Sequence, residues 1–180
     1  MKPFITPEIL VSGKKLFSIQ YEGIYSDEIW KKIGNKNIVS YSMLQGHSLR
    51  AAWLFRLVFQ DDFFIEFSSA STEIMDWQEV GSLNIRFSGH SAKNINSESF
   101  ECITTTISSI QVAKLEKVLY SDPDLVVECG VIIHGDSGEE IIVSAGIPPG
   151  SVSISAPFGS LQFEPQFDMS DCTRTTFEMR

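Results

Sequence analysis

The stretch HGDSGEE at residues 134–140 contains the tetrapeptide that surrounds the nucleophile of chymotrypsin-like serine proteases. A serine becomes nucleophilic when a histidine takes its proton and an acid orients that histidine. His47 and Asp61 or Asp62 precede Ser137 in the chain order of such enzymes, but His47 in LQGHSLR lacks their typical surroundings. The segment also joins two complementary apolar stretches, where a hairpin turn selects Gly, Asp and Ser. We therefore interpret GDSG as a turn and predict no catalytic residue.

Acids, a histidine and a cysteine are crowded between residues 122 and 140, and these are the ligand types of divalent ions. Strand alternation would place Glu128 and His134 on one face, about 20 Å apart, and would turn Cys129 towards the apolar side. The flanking loops SDPD and GDSGEE lack the spaced acids of an EF-hand. The sequence predicts no metal and no cofactor, and it predicts that Cys129 is a core thiol.

The totals indicate a single globular domain over residues 1–180, since 43% of the residues are hydrophobic and the length suffices for a core. Three cysteines without a CxxC pair predict no disulfide framework and suit a reducing compartment. The N-terminal MKPFITPEILVSG lacks the apolar run of a signal peptide, and no stretch approaches 18 apolar residues. We expect a cytoplasmic protein that does not span a membrane.

Charge is distributed unevenly along the chain. Residues 1–120 carry 12 Lys or Arg and 13 Asp or Glu, whereas residues 121–180 carry 2 and 10, which accounts for most of the net charge of −9. Such a surface repels phosphate backbones, so nucleic-acid binding is not expected. It can simply keep the protein soluble, or it can steer a basic partner protein towards the chain.

The clearest strand pattern is RAAWLFRLVFQ, where aromatic and aliphatic residues from Trp53 to Phe59 recur at every second position. FFIEF repeats the alternation after the three-residue connection QDD. The predicted hairpin sets apolar residues against each other and one charge against the other, with Phe59 opposite Phe63, Leu57 opposite Ile65 and Arg56 opposite Glu66. We expect the ion pair to be exposed and to contribute only about 0 to 1 kcal/mol.

A second hairpin is predicted around GDSG. In DLVVECGVII the odd positions from Leu125 to Ile133 form an apolar face, and EEIIVSA returns after the turn. The register that keeps this face apolar sets Val131 opposite Ile141, Cys129 opposite Val143 and Val127 opposite Ala145. GIPPGS is typical of a type II turn with Pro149 and Gly150 at its centre.

Further strands are predicted at GSLNIRF, FECITTTIS and SVSISA. IQVAKLEKVLY fits a helix imperfectly, and its flanks favour a strand. A short helix is predicted over residues 26–33, with Ser26 as its N-cap, lysines in its last turn and Gly34 after it. A further short turn would begin at Thr6 and Pro7 and end at Gly13.

The expected fold is therefore mainly β (α+β), with about seven to nine strands and one or two short helices. Successive hairpins favour antiparallel sheets, either as a sandwich or as one strongly curved sheet. The main β body would cover about residues 45–156, and residues 157–180 would form an irregular tail.

The segments WQEVGSLNIRF and VECGVIIHGDSGEEIIVSAGIPPGSVSISAPF give the region from about 45 to 160 a general similarity to bacterial toxin-immunity proteins. These are small cytosolic partners encoded beside polymorphic or contact-dependent toxins. The chain resembles them in being acidic, single-domain and without a catalytic signature. The resemblance implies a protein that blocks a toxin domain by binding it.

On this hypothesis a basic toxin domain docks on an acidic surface formed by Asp122, Asp124, Asp136, Glu139 and Glu140. Two alternatives remain open. One is a small hydrolase or metal-dependent enzyme whose site is assembled from His47, His90 or His134 with nearby acids. The other is a structural or assembly subunit that pairs through an exposed sheet edge.

Overall fold

A computed structural model describes residues 3–75, 78–89, 101–159 and 162–177. In chain order the strands are β1 (Glu8–Ile9), β2 (Lys15–Phe17), β3 (Gln20–Glu22), β4 (Asn37–Leu44), β5 (Phe55–Phe59), β6 (Phe64–Met75), β7 (Gln78–Ser88), β8 (Cys102–Ser121), β9 (Leu125–Gly135), β10 (Glu140–Ala145), β11 (Val152–Ser155) and β12 (Cys172–Thr176). One helix, α1, spans Ile29–Ile33, and a 3-10 turn spans Met169–Asp171.

All twelve strands belong to one strongly curled sheet that resembles half of a barrel. The order across the sheet is β1-β2-β9-β8-β4-β5-β6-β7-β3, with β10 beside β9, β11 beside β10 and β12 beside β8. Strands hold 59% of the described residues and helices 5%, so the prediction of a mainly β, strongly curved fold is confirmed. Two short pairings, β2 with β9 and β3 with β7, are parallel and lie outside the predicted hairpins.

The hairpin of β5 and β6 has the predicted register. Leu57 lies opposite Ile65 and Arg56 opposite Glu66, and the N–H of Phe59 donates to the carbonyl of Phe63. This hydrogen bond leaves three residues for the loop, and the last of them, Asp62, has a φ of 58°, as a three-residue hairpin loop requires.

The hairpin of β9 and β10 forms around GDSG as expected, but its predicted register was wrong by two residues. Val131 lies opposite Val143 and Ile133 opposite Ile141. The strands extend further into the segment than predicted, because the N–H of Gly135 bonds the carbonyl of Glu139 and leaves three residues for the loop. Gly138, the third of these, has a φ of +91°, which a residue without Cβ adopts at least cost.

A β-bulge divides β9 into two halves. Glu128 and Gly130 pair with consecutive residues of β8, so Cys129 is an extra residue. The predicted continuous apolar face was wrong for this reason: Leu125, Val127 and Cys129 pack in one core cluster, and Val131 and Ile133 pack in the other.

The larger core cluster fills the inside of the curl. Phe55, Leu57, Phe67, Leu83, Val131 and Val143 are among its fully or almost fully buried members. The inner faces of β7 and β10 approach closely at Gly81, where an added Cβ would lie 2.9 Å from the Cβ of Ala145. Burial of each such aliphatic or aromatic side chain stabilises the fold by about 1.5 to 3 kcal/mol.

The C-terminal segment is more regular than predicted. Gln166 donates its backbone N–H to Ala145 and its side-chain amide to the carbonyl of Glu79, which joins β10 to β7. Phe167 stacks on Tyr120 at 4.3 Å between ring centroids, and β12 then pairs antiparallel with β8. Part of the predicted irregular tail is therefore a strand of the sheet.

The N-terminal third also differs from the prediction. The expected turn from Thr6 to Gly13 contains β1 and the loop to β2, and β4 adds a central strand before residue 45. Helix α1 begins after Glu28 and has no side-chain N-cap, so the predicted cap at Ser26 was wrong. The residue with positive φ after the helix is Asn35 rather than Gly34.

The Arg56–Glu66 pair lies on the predicted face, but it is not exposed. The side chain of Glu66 is 3% accessible and lies 2.7 Å from Arg56 Nε and 2.6 Å from Arg86 Nη2. Arg56 also covers the ring of Phe64, with 4.8 Å from its guanidinium carbon to the ring centroid. One buried carboxylate thus joins β5, β6 and β7.

Replacement of Glu66 by alanine leaves two half-buried guanidinium groups without their carboxylate. We expect E66A to lower the free energy of unfolding by about 3 to 5 kcal/mol in urea denaturation. The matched control is E164A, which removes the Glu164 carboxylate from an exposed pair with Arg50. That variant should change the free energy by less than about 1 kcal/mol, and equal losses in the two variants would contradict the structural role of Glu66.

Candidate functional site

The five acids of the predicted binding surface lie in two clusters at opposite ends of β9. Asp122 and Asp124 lie in the turn before the strand, whereas Asp136, Glu139 and Glu140 follow it. The strand has 11 residues, so about 33 Å separates the clusters at 3.3 Å per residue. The structure thus brings these residues together in groups of two and three and not as one surface.

Asp122 builds the turn between β8 and β9. Its Oδ1 accepts the backbone N–H groups of Asp124 at 2.8 Å and Leu125 at 2.9 Å. Lys14 Nζ donates to the carbonyl of Asp122 at 2.6 Å, which brings a cation to this cluster. The side chain of Asp124 is exposed. Asp122 is therefore a structural residue, and Asp124 is the member of the pair that faces solvent.

The acids around GDSG are also partly used by the fold. Glu139 Oε2 accepts the N–H of Ser137 at 3.1 Å, and Glu140 Oε1 lies 3.3 Å from Arg174 Nη1. Asp136 is exposed and accepts the hydroxyl of Ser137 at 3.4 Å. These contacts are those of a hairpin turn, in agreement with the interpretation of GDSG.

His134 lies between two carboxylates on the face of β9 opposite to Glu128. Its Nε2 is 2.7 Å from Glu116 Oε2, and its Nδ1 is 3.4 Å from Glu140 Oε1. Lys114 Nζ binds the other oxygen of Glu116 at 2.7 Å and holds the pKa of that carboxyl below its usual range. The prediction that Glu128 and His134 share a face was wrong, because the bulge at Cys129 reverses the alternation between them.

The two carboxylates bind different nitrogens of the imidazole and therefore do not converge on one point. Across residues 3–75, 78–89, 101–159 and 162–177, no group of three His, Cys, Asp or Glu side chains is placed to hold a metal ion. His47 lies elsewhere, where its Nδ1 accepts the N–H of Trp53 at 3.1 Å. His90 lies outside the described residues.

A polar cleft of about 500 Å³ lies beside Glu128 and Lys117, whose charged groups are 2.9 Å apart. Ser26, Asp27, Thr175 and Thr176 also line it. Glu128 Oε2 accepts the N–H of Ile19 at 2.7 Å, and burial together with the charge of Glu128 raises the pKa of Tyr21. Sequence reasoning missed this cleft because the Cys129 bulge leaves no mark in the alternating pattern.

A groove of about 380 Å³ opens beside the C-terminal end of β4, and we call it the aromatic groove. Its lining includes Tyr41, Met43, His47, Leu49, Ile103 and Phe158. Phe158 stacks on Tyr41 at 4.9 Å between ring centroids. Trp53 meets the ring of His47 edge-on at 6.1 Å and is 65% exposed, although its strand position predicted a buried residue. Strand β5 begins at Phe55, so Trp53 lies outside it, and the strand begins two residues later than the alternation from Trp53 indicated.

Cys129 and Cys172 are free thiols whose side chains interact beneath β8. The hydrogen bond between them raises the pKa of Cys129 and lowers that of Cys172. Cys129 Sγ also lies 3.6 Å from the carbonyl of Val118 and is buried, as predicted for a core thiol.

The contacts of Glu116 with Lys114 and His134 predict that the stability of the fold depends on pH. A carboxyl whose pKa is lower in the folded state stabilises that state at pH values above its ordinary pKa of 4.5. This contribution disappears as the pH falls through the pKa of the folded state. We therefore expect E116Q to be less stable than the wild type at pH 7. The difference in the free energy of unfolding should narrow below pH 4.5.

Urea denaturation at a series of pH values measures this difference. The control is D61N, which alters an exposed pair with Lys36 and should differ from the wild type by less than about 1 kcal/mol. A gap between wild type and E116Q that stays constant on acidification would contradict the assigned ion pairs.

Comparisons with known proteins identify no relative. No family model matches the chain, and no significant match to a characterised protein or to a solved structure is found. Among the described residues, no helix has the length and apolar character needed to cross a membrane.

Proposed function

We propose that the chain is a non-catalytic binding protein of the toxin-immunity type, which neutralises a basic toxin domain by binding it. The observation that carries this proposal is the aromatic groove beside the exposed Trp53. Contiguous exposed apolar surface can mark an interaction site, and Trp and Tyr are enriched among the residues that contribute most to binding at protein interfaces. Trp53 and Ile103 are 65% and 51% exposed, so both have surface that a partner can cover.

The acidic charge has a separate role in this proposal. The five acids of the predicted binding surface lie at both ends of β9 and do not border one contact surface. A net charge of −9 nevertheless produces a field over the whole molecule, and such a field accelerates the approach of a basic partner. The groove would then hold the partner after the charges have attracted it.

The acids best suited to test steering are Asp124 and Asp136. Both are exposed, whereas Asp122, Glu139 and Glu140 bind backbone or side-chain groups of the fold. Their replacement by lysine changes the net charge by four while leaving those contacts in place. This pair separates the electrostatic contribution from the structural one.

The proposal predicts different kinetic effects for the two features. D124K/D136K should reduce the association rate constant about tenfold at low ionic strength, and the effect should shrink in about 0.5 M salt. W53A should leave association nearly unchanged and weaken affinity by roughly 10- to 100-fold through faster dissociation. V11A, which truncates an exposed apolar residue elsewhere, is the control and should behave as the wild type.

The proposal places the gene of the toxin beside that of this chain, and the partner for this measurement is the inactivated product of that neighbouring gene. Surface plasmon resonance gives both rate constants, and co-expression with the active domain tests protection of growth. Absence of association at low salt, together with absence of protection, would overturn the proposal. Equal effects of V11A and W53A would show that the groove is not the contact surface.

A further inference from the structure

The first part of β8 is a sheet edge. Residues from Cys102 to Thr106 pair with β4, whereas β9 pairs with β8 only from Val112 onwards. No strand in the described part of the chain pairs with the other edge of 102–106. All five of these residues are exposed. The backbone groups of this edge take no part in the proposed toxin binding, although the side chain of Ile103 also lines the aromatic groove.

The backbone groups that face outwards can be identified. The carbonyl of Glu101 accepts the N–H of Gln45, which precedes the pairing of β4 with β8. Because successive residues of a strand direct their backbone groups to opposite edges, Ile103 and Thr105 also face β4. Cys102, Thr104 and Thr106 direct their N–H and C=O groups away from it.

Residues 102–106 of this edge contain no charged residue and no proline, although the edge is short and its pairing with β4 shifts register directly after Thr106. Sheet edges are commonly protected by charged residues, prolines or short length. The sequence ITTTISSI at residues 103–110 contains neither charge nor proline, and its β-branched residues favour extended pairing. The exposed backbone groups are therefore open to another strand.

We propose that this edge pairs antiparallel with the same edge of a second copy of the chain, around a two-fold axis at Thr104. Thr104 then lies opposite Thr104 of the second copy, and Cys102 lies opposite Thr106 of the second copy. Cross-strand Thr pairs stabilise antiparallel sheets.

A second copy fits in spite of the net charge of −9. In the proposed register the nearest acid of the strand, Glu101, lies about 20 Å from its equivalent along the strand direction. This exceeds the Debye length of about 8 Å at physiological ionic strength, so the repulsion is screened. A two-fold contact is also self-complementary and closes at a dimer.

The test is the mass in solution, measured by light scattering over a roughly hundredfold range of protein concentration. The wild type should reach twice the monomer mass. T104P removes only an outward N–H and should remain monomeric, whereas T104V keeps the N–H and the β-branch and should dimerise. T104K brings two lysines together across the axis and should be monomeric even if the proline variant does not fold.

The register has its own test in a C102S background. In T104C/C102S the two new cysteines form a directly opposed pair with Cα atoms about 5.5 Å apart, within the range for a disulfide, and oxidised glutathione should link them. Cys102 of the two wild-type copies is about 13 Å apart and should not cross-link. A monomer at every concentration, or a folded T104P or T104K that dimerises like the wild type, would overturn the proposal.

Discussion

The structure depends on burial of one apolar surface inside the curl of a single sheet. β5, β6 and β7 supply one wall of this core, and β9, β10 and β11 supply the other. The walls are joined by β8, whose 20 residues pair first with β4 and then with β9. Because the same strand continues from one wall to the other, the two walls meet without a second sheet or a helical layer between them.

The alternation of apolar residues and the types of turn residues predicted correctly those elements whose contacts are between residues close in sequence. The hairpin of β5 and β6 was confirmed in detail, since its apolar residues alternate, its loop has three residues, and only one register matches Arg56 with Glu66. The type II turn at Pro149 and Gly150 has its expected hydrogen bond from Ser151 to Pro148 and a φ of +84° at the glycine. In these places sequence neighbours are also neighbours in space.

The errors arose where distant parts of the chain decide the geometry. The bulge at Cys129 depends on how β8 passes β9, and it reverses the faces of Glu128 and His134. Glu66 was expected to be exposed because its second partner, Arg86, comes from β7 and is 20 residues away. The candidate acids could be identified by charge, but the separation of Asp124 from Asp136 follows from the length of β9, and the groove beside Trp53 follows from the curl.

Three properties of the surface lie at different places in the fold. Negative charge is concentrated at the turns, the exposed aromatic and aliphatic side chains lie at the groove, and the unpaired backbone lies along the start of β8. A partner attracted by the negative charge need not be held by it. A strand that adds to the unpaired backbone of β8 binds mainly through backbone hydrogen bonds and not through side chains. Each property can therefore be altered by substitutions that leave the other two intact.

The central claim is that the two walls form one cooperative unit through β8. Native-state hydrogen exchange of the amides of Leu57 in β5 and Val143 in β10 tests it most directly, since both strands have a neighbour on either side. The account predicts the same opening free energy for both amides, equal to that of global unfolding. Exchange of Val143 through an opening several kcal/mol less costly, while Leu57 stays protected, would contradict it.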